Sequence, residues 1–347
     1  MKVLYLYTEV MGYLVPVFEE LVKTHGAQVD VIHWDKQKLT PYAPPAVDGV
    51  CFHGRTDLSD SQLAQLVQDI APDLVYISGW QDKGYLRIAR QLKSQGCPIV
   101  VGFDDQWHSS LRQIAGSYLM RLFLKKRYFT YAWVAGPYQF EYASRMGFSK
   151  SQIIFNLYSC NIDAFSQSAL PQLAQQETSN FLFVGRFHFN KGINTLIDAF
   201  KMYKKGGGKW NLICVGNGPL RANLNIEGIS VEDFQTAEAL RNLVAKSGAF
   251  VLPSHHEPWG VVAQEFSLAG LPLILSNQVG SRPVFLIDGF NGYLFDSRSS
   301  IDLAKKMHSI SETSHLTLRR MGERSRSLGL AITPEMSAAS LVSVLKQ

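Results

Sequence analysis

The sequence predicts an α/β protein built from two doubly wound parallel sheets. Short, nearly continuous apolar runs alternate with stretches of helical periodicity over residues 2–146, and the alternation starts again at residue 181. Such runs are typical of parallel strands that are covered by helices on both faces. A polar, Gln- and Ser-rich segment at 161–180 separates the two series and is predicted to be an interdomain linker. We therefore expect two Rossmann-like domains that face a central cleft.

Length and composition agree with this organisation. At roughly 150 residues per domain, the 347 residues suffice for two domains. With 46% hydrophobic and 18% charged residues, the chain can bury two cores and does not have the composition of a disordered protein. The four cysteines occur singly, without a C-x-x-C, which argues against a zinc site and predicts a reduced, cytoplasmic location. No window approaches the roughly 18 uncharged apolar residues of a membrane span, and the net charge of +5 favours anionic partners without selecting among them.

The pattern of apolar residues predicts each strand and helix. In the first series the predicted strands are residues 2–7, 29–34, 49–53, 73–78, 97–103 and 131–136, with helices near 12–24, 59–70, 82–94, 110–128 and 137–146. In the second series the predicted strands are residues 181–185, 210–216, 249–253, 271–276 and 292–295, with helices near 192–205, 236–246, 260–269 and at the C-terminus. In such sheets ligands bind beyond the carboxyl ends of the strands, so the loops that follow strands carry the candidate chemistry.

The loop FLFVGRFHFNKG carries two cations beside a predicted helix. A strand ends at Gly185, Arg186 follows, and Lys191-Gly192 opens the next helix. Fixed cations next to a helix N-terminus, with a glycine that permits close approach, form an anion site suited to a diphosphate. An ordinary strand-to-helix loop with solvated Arg and Lys side chains is the alternative.

Two further loops contain glycines that permit close approach to a ligand. CVGNGPL places Gly216 directly after a strand, although an ordinary βα turn explains a lone Gly-x-Gly equally well. The segment SNQVGSRPVFLIDGFNGYLF adds Gly280, Gly289 and Gly292 and is a candidate edge of the same site.

The segment PSHHEPWGVVAQEFSLAG holds two glutamates eight positions apart. Pro258 suits a first helical turn and Gly260 gives the backbone freedom, so the helix is predicted to start within 258–261. Glu257 then lies in the loop before the helix, and Glu265 lies one to two turns inside it.

The first free amides of this helix, at Gly260, Val261 and Val262, are predicted to point the same way as the Glu257 carboxylate. A polyol would find an acceptor and several donors there, while Glu265 could bind vicinal hydroxyls. The alternatives are an acid at Glu257 that complements the helix dipole and an exposed helical position at Glu265.

Together these segments resemble the retaining GT-B glycosyltransferases of family 4, often named glycosyltransferase group 1. The matching features are GRFHFNKG, VGNGP, PSHHEPWGVVAQEFSLAGLP with its E-x7-E pair, and DGFNGYLF, in the family's order over residues 181–296. The N-terminal half is similar only in its strand-helix rhythm and in a glycine-containing first loop, TEVMGY. The resemblance implies an acceptor domain at 1–165 and a nucleotide-sugar donor domain at 166–333, with the C-terminal helix 334–347 as an optional completion of the first.

The resemblance also implies roles for the residues above. Arg186 and Lys191 would bind the donor diphosphate and stabilise the leaving nucleotide, and with Glu257 they are the catalytic candidates. Glu265 would hold the ribose hydroxyls, and Phe234 would border the base. The implied donor-binding set is Gly185, Arg186, Lys191, Gly216, Phe234, Glu257, Trp259, Gly260, Val261, Val262 and Glu265.

A metal-independent reaction is expected. A leaving diphosphate needs cations or a metal to stabilise its charge, and the chain contains no Asp-x-Asp motif. The adjacent His255 and His256 lack the i,i+4 spacing of a zinc-binding helix, so a hydrogen-bonding role is expected for them instead. No cofactor is expected beyond the donor substrate itself, a UDP- or GDP-sugar.

The sequence departs from the family where the acceptor would bind. The family usually carries a His-Asp or similar pair after the strand at 97–103, whereas Asp104 and Asp105 stand here, with His108 close behind. The resemblance implies a retaining mechanism in which the leaving phosphate accepts the proton, so these residues are candidates for positioning the acceptor. Glu9 and Gly12 in the first loop are further candidates.

The segment 109–131 combines basic and apolar residues without any acid. Two interpretations stay open: a core helix whose basic end lies in water, and a helix that rests on an anionic membrane near lipid-linked acceptors. A nucleic-acid partner is not expected, because the net charge is mild and no such motif is present. The expected partners are a nucleotide sugar and a glycan, lipid-linked or small-molecule acceptor, and the expected location is the cytoplasm, at the inner face of the plasma membrane if the helix binds lipid.

Other functions stay as alternatives. An NAD(P)-dependent oxidoreductase would need G-x-G-x-x-G after the first strand, and YLYTEVMGYLVP does not supply it. A catalytically silent GT-B protein that binds a nucleotide sugar or glycan would keep the same residues. A GT-B epimerase or phosphorylase is a more remote alternative.

Overall fold

The computed structural model describes residues 1–34, 44–166 and 180–346. The chain divides into two compact units: unit 1 comprises Met1–Asn161 with Ile332–Gln347, and unit 2 comprises Ile162–Ala331. Each unit contains one parallel sheet with flanking helices.

Unit 1 contains a sheet of seven strands. In chain order they are β1 (Lys2–Tyr7), β2 (Gln28–His33), β3 (Val50–Gly54), β4 (Leu74–Ile77), β5 (Ile99–Phe103), β6 (Tyr131–Val134) and β7 (Ile153–Ile154). Their order across the sheet is β3-β2-β1-β4-β5-β6-β7, and these pairings are parallel. The helices between them are α1 (Val15–His25), α2 (Asp60–Ile70), α3 (Lys83–Ser94), α4 (Leu111–Leu119), α5 (Lys125–Tyr128) and α6 (Pro137–Arg145).

Helix α3 illustrates how a capping residue and an apolar face pack a helix against this sheet. The Asp82 side chain accepts a hydrogen bond from the Tyr85 backbone N–H and caps the helix. The apolar positions Tyr85, Ile88, Ala89 and Leu92 recur at helical spacing and are buried. The Tyr85 hydroxyl donates to the carbonyls of Tyr7 and Ile32 at 3.2 and 2.9 Å, which ties α3 to the carboxyl ends of β1 and β2.

Unit 2 contains a sheet of six strands. In chain order they are β8 (Asn180–Val184), β9 (Asn211–Val215), β10 (Ile229–Glu232), β11 (Ala249–Leu252), β12 (Leu273–Ser276) and β13 (Gly292–Phe295). Their order is β10-β9-β8-β11-β12-β13, again with parallel pairings. The helices are α7 (Ile162–Ser166), α8 (Ile193–Lys205), α9 (Ala237–Val244), α10 (Val261–Leu268), α11 (Arg282–Phe285), α12 (Ser300–Ser311) and α13 (His315–Gly329), and α14 (Pro334–Val342) returns to unit 1.

The strand order reverses once in each unit. In unit 1 the chain builds outward from β1 to β3 and then crosses to β4; in unit 2 it builds from β8 to β10 and then crosses to β11. The loops after β1 and β4, and those after β8 and β11, therefore flank the position at which open α/β sheets bind ligands. The predicted fold class, two doubly wound parallel α/β domains, is confirmed.

Several predicted elements need correction. Strands β7 and β10 were not predicted, because both are short edge strands and β10 carries half-exposed and polar residues instead of an apolar run. The predicted helix at 110–128 contains a π-helical segment at Met120–Leu124 between α4 and α5. The linker prediction is wrong at its start, where α7 buries Phe165 against Phe266. The rest of that linker, 167–179, lies outside the described residues.

Within the described part of the chain, one stretch, His315–Lys346, is long and apolar enough by length and composition to cross a membrane. In the structure it forms two helices with a break between them, α13 in unit 2 and α14 in unit 1. Apolar residues of both helices are buried within their units, among them Leu318, Met321, Leu341 and Val342. Packing inside the units thus accounts for this apolar composition.

Candidate functional site

The loop that follows β8 turns sharply to reach α8. Phe189–Lys191 form a short 3-10 helix, and Gly192 adopts a positive φ of 70° before α8 begins at Ile193. A Cβ atom at Gly192 would lie 1.9 Å from the carbonyl oxygen of Pro253, so only glycine permits this contact with the loop after β11. The two loops at the strand-order reversal of unit 2 are therefore in direct contact.

An ion pair joins these same two loops. The Lys191 Nζ donates to Glu257 Oε2 at 2.5 Å, and the Ser254 hydroxyl donates to the same oxygen at 3.1 Å. The side chains of Lys191 and Glu257 are 21% and 8% exposed, so each charge is held largely out of water beside its counter-ion. Both residues were predicted to lie in the donor site, but their pairing and the contribution of Ser254 were not predicted.

The loop after β12 is hydrogen-bonded to the backbone of the Glu257 loop. The Gly280 backbone N–H donates to the Glu257 carbonyl at 3.0 Å, and the Ser281 N–H donates to the Trp259 carbonyl at 2.9 Å. The Ser276 hydroxyl donates to the Ser254 carbonyl at 2.6 Å. The contribution of Gly280 is therefore a backbone hydrogen bond that fixes the position of Glu257.

Helix α10 begins at Val261, within the predicted range. Gly260 stands before it with a positive φ of 88°, and a Cβ atom there would lie 2.9 Å from Glu257 Cγ. The side chain of Glu257 thus lies against the glycine at the start of the helix. The backbone N–H groups of Val261 and Val262 belong to the first turn, whose amides have no acceptor within the helix.

Glu265 lies in the second turn of α10 and is half-buried. Its carboxyl forms no hydrogen bond or ion pair among the described residues, and burial raises its pKa to about 7. Its neighbours Phe266 and Ala269 are buried, whereas Val261 and Val262 are half-buried. A poorly solvated carboxyl without a partner is a group that hydroxyl donors would stabilise as the anion.

The loops after β8 and β9 are packed backbone to backbone. A Cβ atom at Gly216 would lie 2.1 Å from the Gly185 carbonyl oxygen, and the Phe187 N–H donates to the Asn217 carbonyl at 2.8 Å. Arg186 projects from this double loop and is exposed, and its guanidinium has no partner in the described part of the chain. The contact with the Gly185 carbonyl explains why glycine occupies position 216.

Phe234 follows β10 and is 58% exposed. Arg221 connects its loop to the previous one, since its guanidinium donates to the Gly216 carbonyl at 3.1 Å and pairs with Asp233 at 3.0 Å. Arg221 was not predicted as a site residue, although its position shortly after the GNGP turn was a usable signal. The loops after β8, β9, β10 and β11 thus form one connected edge.

His255 has the hydrogen-bonding role that its position predicts. Its Nε2 lies 3.1 Å from the Thr195 hydroxyl, and its ring stacks on Phe189 at 5.3 Å between centroids. Burial, and then the nearby charge of Arg298, lower the pKa of His255, which favours the neutral ring.

In unit 1, three tyrosines lie near Asp104, the residue that follows β5: Tyr7, Tyr13 and Tyr158. The Tyr158 hydroxyl donates to Asp104 Oδ2 at 3.3 Å, while Asp104 itself is exposed. Burial raises the pKa of Tyr7, Tyr13 and Tyr158 well above the ordinary value, and the Asp104 carboxylate raises it further. The hydroxyls therefore stay protonated, and the Tyr158 hydroxyl can orient the Asp104 carboxylate. Asp104 was predicted as a candidate residue, whereas the tyrosines were not.

Asp105 and His108 lie next to one another. The His108 Nε2 is 3.9 Å from Asp105 Oδ1, and the buried Gln113 donates to Asp105 Oδ2 at 3.5 Å and accepts from the His108 backbone N–H at 2.7 Å. Glu9, in the loop after β1, is half-buried and has no partner among the residues described, and Gly12 begins a short 3-10 helix. The unit 1 candidates thus lie in loops that follow β1 and β5.

The chain is similar in sequence and in fold to known proteins. Residues 171–328 match the family model described as Glycosyl transferases group 1. An uncharacterized glycosyltransferase of Methanocaldococcus jannaschii is 28% identical over 190 residues, which cover 50% of this chain and 52% of that protein. Sucrose-phosphate synthase from Thermosynechococcus elongatus has a TM-score of 0.75 at 19% identity and covers 100% of this chain and 99% of its own. Anabaena Alr3699/HepE in complex with UDP has a TM-score of 0.76 at 17% identity and covers 100% of both chains.

The chain has the GT-B fold of these structures. The stretch that matches the glycosyltransferase group 1 model contains the Lys191–Glu257 pair and Glu265. The chain spans about half the length of the curated relatives that it matches, 52% and 49% for two of them.

Proposed function

We propose that the protein is a retaining, metal-independent glycosyltransferase. It would move a sugar from a nucleotide-diphosphate sugar to a hydroxyl of a glycan, lipid-linked or small-molecule acceptor. The observation that carries the proposal is the Lys191–Glu257 ion pair, which lies at the strand-order reversal of unit 2. Arg186 belongs to the same loop as Lys191, the one after β8. Anabaena HepE, which shares the fold, has been solved with UDP and with UDP-glucose, which supports a UDP-sugar donor, with a GDP-sugar as the other candidate.

Arg186 and Lys191 are proposed to bind the donor diphosphate. A lysine ammonium has three N–H donors, and the bond from Lys191 to Glu257 uses one, so two are left for phosphate oxygens. As the sugar–phosphate bond breaks, negative charge develops on the leaving nucleotide, and cations already fixed in place stabilise it without reorganising. The ion pair keeps the Lys191 side chain in one position before the donor binds.

The two glutamates are proposed to bind different parts of the donor. Glu265, whose carboxyl has no partner in the described part of the chain, would accept hydrogen bonds from the ribose hydroxyls. Glu257 and the amides of Gly260, Val261 and Val262, together with Trp259, would bind the hydroxyls of the transferred sugar. Phe234 would border the base, and Gly185 and Gly216 would let the backbone approach the phosphates.

The acceptor is proposed to bind unit 1. Asp104, oriented by Tyr158, would accept a hydrogen bond from an acceptor hydroxyl, with Asp105, His108 and Glu9 as further positioning residues. In a retaining reaction the leaving phosphate takes the proton of that hydroxyl, so none of these side chains has to be a base. The proposed location is the cytoplasm.

Nucleotide release tests this proposal. The chain is incubated with UDP- and GDP-sugars, with and without simple sugar acceptors, and free nucleotide is measured. We expect release by the unaltered chain, insensitivity to EDTA, and about a hundredfold loss in Arg186→Ala, whereas Arg320→Ala on the exposed face of α13 has no effect. The anomeric configuration of the product, read by NMR, tests retention.

Two outcomes would contradict the proposal. Donor binding without release in the presence of acceptors would favour the catalytically silent nucleotide-sugar-binding protein. Release that depends on a divalent metal would contradict metal independence, because Arg186 and Lys191 would then not suffice to stabilise the leaving group.

A further inference from the structure

The helical segment 111–128 of unit 1 presents an apolar face to solvent. Six large apolar side chains on it are between 37% and 86% exposed: Leu111, Ile114, Tyr118, Leu119, Leu122 and Phe123. The interpretation of this segment as a core helix is therefore wrong for that face. Clusters of exposed apolar residues on a protein surface mark sites of interaction with a partner or a membrane.

The opposite face of the segment is the one that packs. Gln113, Ser117 and Met120 are buried, and their spacing of four and three residues places them on one side of the helix. The π-helical turn at Met120–Leu124 widens the helix at this point, and Leu122 and Phe123 are both exposed within it. The apolar face is thus fixed in an outward orientation by the packing of the inner face.

A basic pocket of about 370 Å³ opens beside this face. It is lined by Trp107, Ile114, Ser117, Tyr118, Arg121 and Arg145. The Arg145 guanidinium lies 4.7 Å from the Trp107 ring centroid and pairs with Glu141 at 2.8 Å. Arg121 is exposed, and its guanidinium has no hydrogen bond or ion pair among the described residues. The charge of Arg121 in this pocket is therefore not neutralised by any described residue.

Further cations surround the apolar face. Arg112, Lys126 and Arg127 are exposed, and residues 109–131 contain no acid. Lys125 differs, because its Nζ turns inward and donates to the Gly147 carbonyl at 2.5 Å. The outward surface therefore combines protruding apolar side chains with unneutralised positive charge.

We propose that this surface, the apolar face of 111–128 with the Arg121–Arg145 pocket, binds an anionic lipid bilayer. Leu119, Leu122 and Phe123 would enter the interfacial region of the bilayer, and a lipid phosphate would occupy the pocket between Arg121 and Arg145. The charge on the surface selects this occupant, since protruding apolar residues ringed by cations match the acyl boundary and phosphates of anionic lipids. The inference does not depend on the proposed catalytic function.

Vesicle flotation tests the proposal with the full chain. We expect flotation with vesicles of phosphatidylcholine mixed with phosphatidylglycerol, and little or none with phosphatidylcholine alone. Arg121→Ala should weaken binding about fivefold, and the double substitution Leu122→Ser with Phe123→Ser by more than tenfold. The control, Leu316→Ser with Arg320→Ala, removes an exposed apolar side chain and a cation from α13 and should bind as the unaltered chain does.

Because Leu122 and Phe123 are about two-thirds exposed, the double variant should keep its circular dichroism and unfolding midpoint. The proposal would be overturned by no flotation with the anionic vesicles, by an equal loss in the α13 control, or by a dimer seen by light scattering that the double variant abolishes while flotation is unchanged. Stabilisation of the chain by inorganic phosphate without vesicle binding would likewise overturn it.

Discussion

Lys191 and Glu257 form a 2.5 Å ion pair that links the loop after β8 to the loop after β11. They stand 66 positions apart in the sequence, and the parallel sheet brings them together because the carboxyl ends of neighbouring strands lie at one edge. The pair positions a cation and a carboxylate before any ligand binds. This preorganisation is central to the proposed donor site.

The ion pair should contribute measurably to stability. Lys191→Ala leaves the Glu257 carboxylate largely buried without its cation, so we expect the free energy of unfolding to fall by about 2 kcal/mol. Lys191→Met combined with Glu257→Gln removes both charges and should recover part of that loss. Urea unfolding of Lys191→Met, Glu257→Gln and their combination measures the coupling, and strictly additive losses would show that the two charges do not interact.

Glu265 should make stability depend on pH. Burial raises its pKa to about 7, so between its ordinary value and pH 7 the folded chain holds a proton that the unfolded chain has lost. Stability from this group therefore falls as pH rises through that window and is fully lost above it. Glu265→Gln should be more stable than the unaltered chain by on the order of 2 kcal/mol near pH 8, and equal to it near pH 4. A difference that does not change with pH would contradict the raised pKa.

Donor binding should release a proton from Glu265. Hydroxyl groups that donate to a carboxyl favour its ionised form and lower its pKa in the complex. Calorimetry near pH 6 in buffers of different ionisation enthalpy should show this release, which should vanish near pH 8 and in Glu265→Gln. Glu227→Gln, an exposed glutamate of the same unit, serves as the control and should keep it. If the heat of donor binding near pH 6 is the same in all buffers, no proton is released and the ribose does not bind at Glu265.

Gly192 should be intolerant of any side chain. Gly192→Ala combines a positive φ with a Cβ atom 1.9 Å from the Pro253 carbonyl, so the loops after β8 and β11 would have to separate. The control is Gly207→Ala, which has a positive φ but no atom within 4 Å of its Cβ. We expect the control to lose about 1 kcal/mol in urea unfolding and Gly192→Ala to lose clearly more. Equal losses would mean that the Pro253 contact is unimportant.

Much of the fold could be predicted because buried parallel strands leave an unambiguous apolar run. Strand β1 was predicted with its observed bounds for this reason. Strands β7 and β10 carry no such signal, since β7 has only two residues and β10 is partly exposed. The start of α10 was also predicted, because Pro258 and Gly260 mark a helix N-terminus in the sequence itself.

The sequence was enough to predict which residues form the candidate site, but not which of them contact one another. Motif spacing found Lys191, Glu257 and Glu265, but the hydrogen bond of Ser254 to Glu257 depends on loop geometry that spacing does not encode. The tyrosines near Asp104 were not predicted, because Tyr7 and Tyr13 lie at the start of the chain, far in sequence from Tyr158, and the three share no motif. The exposure of the apolar face at 111–128 was likewise undecided, because periodicity identifies a face but not what covers it.

The most direct test of the central claim, that unit 2 binds the donor through these residues, is a thermal-shift panel of UDP-, GDP-, ADP- and CMP-sugars. A ligand that binds only the folded chain raises its melting temperature by mass action. We expect one donor to stabilise the unaltered chain and Glu227→Gln equally, and Lys191→Ala and Glu265→Ala to lose that shift. If both of these variants keep the full shift, the assigned donor site is wrong.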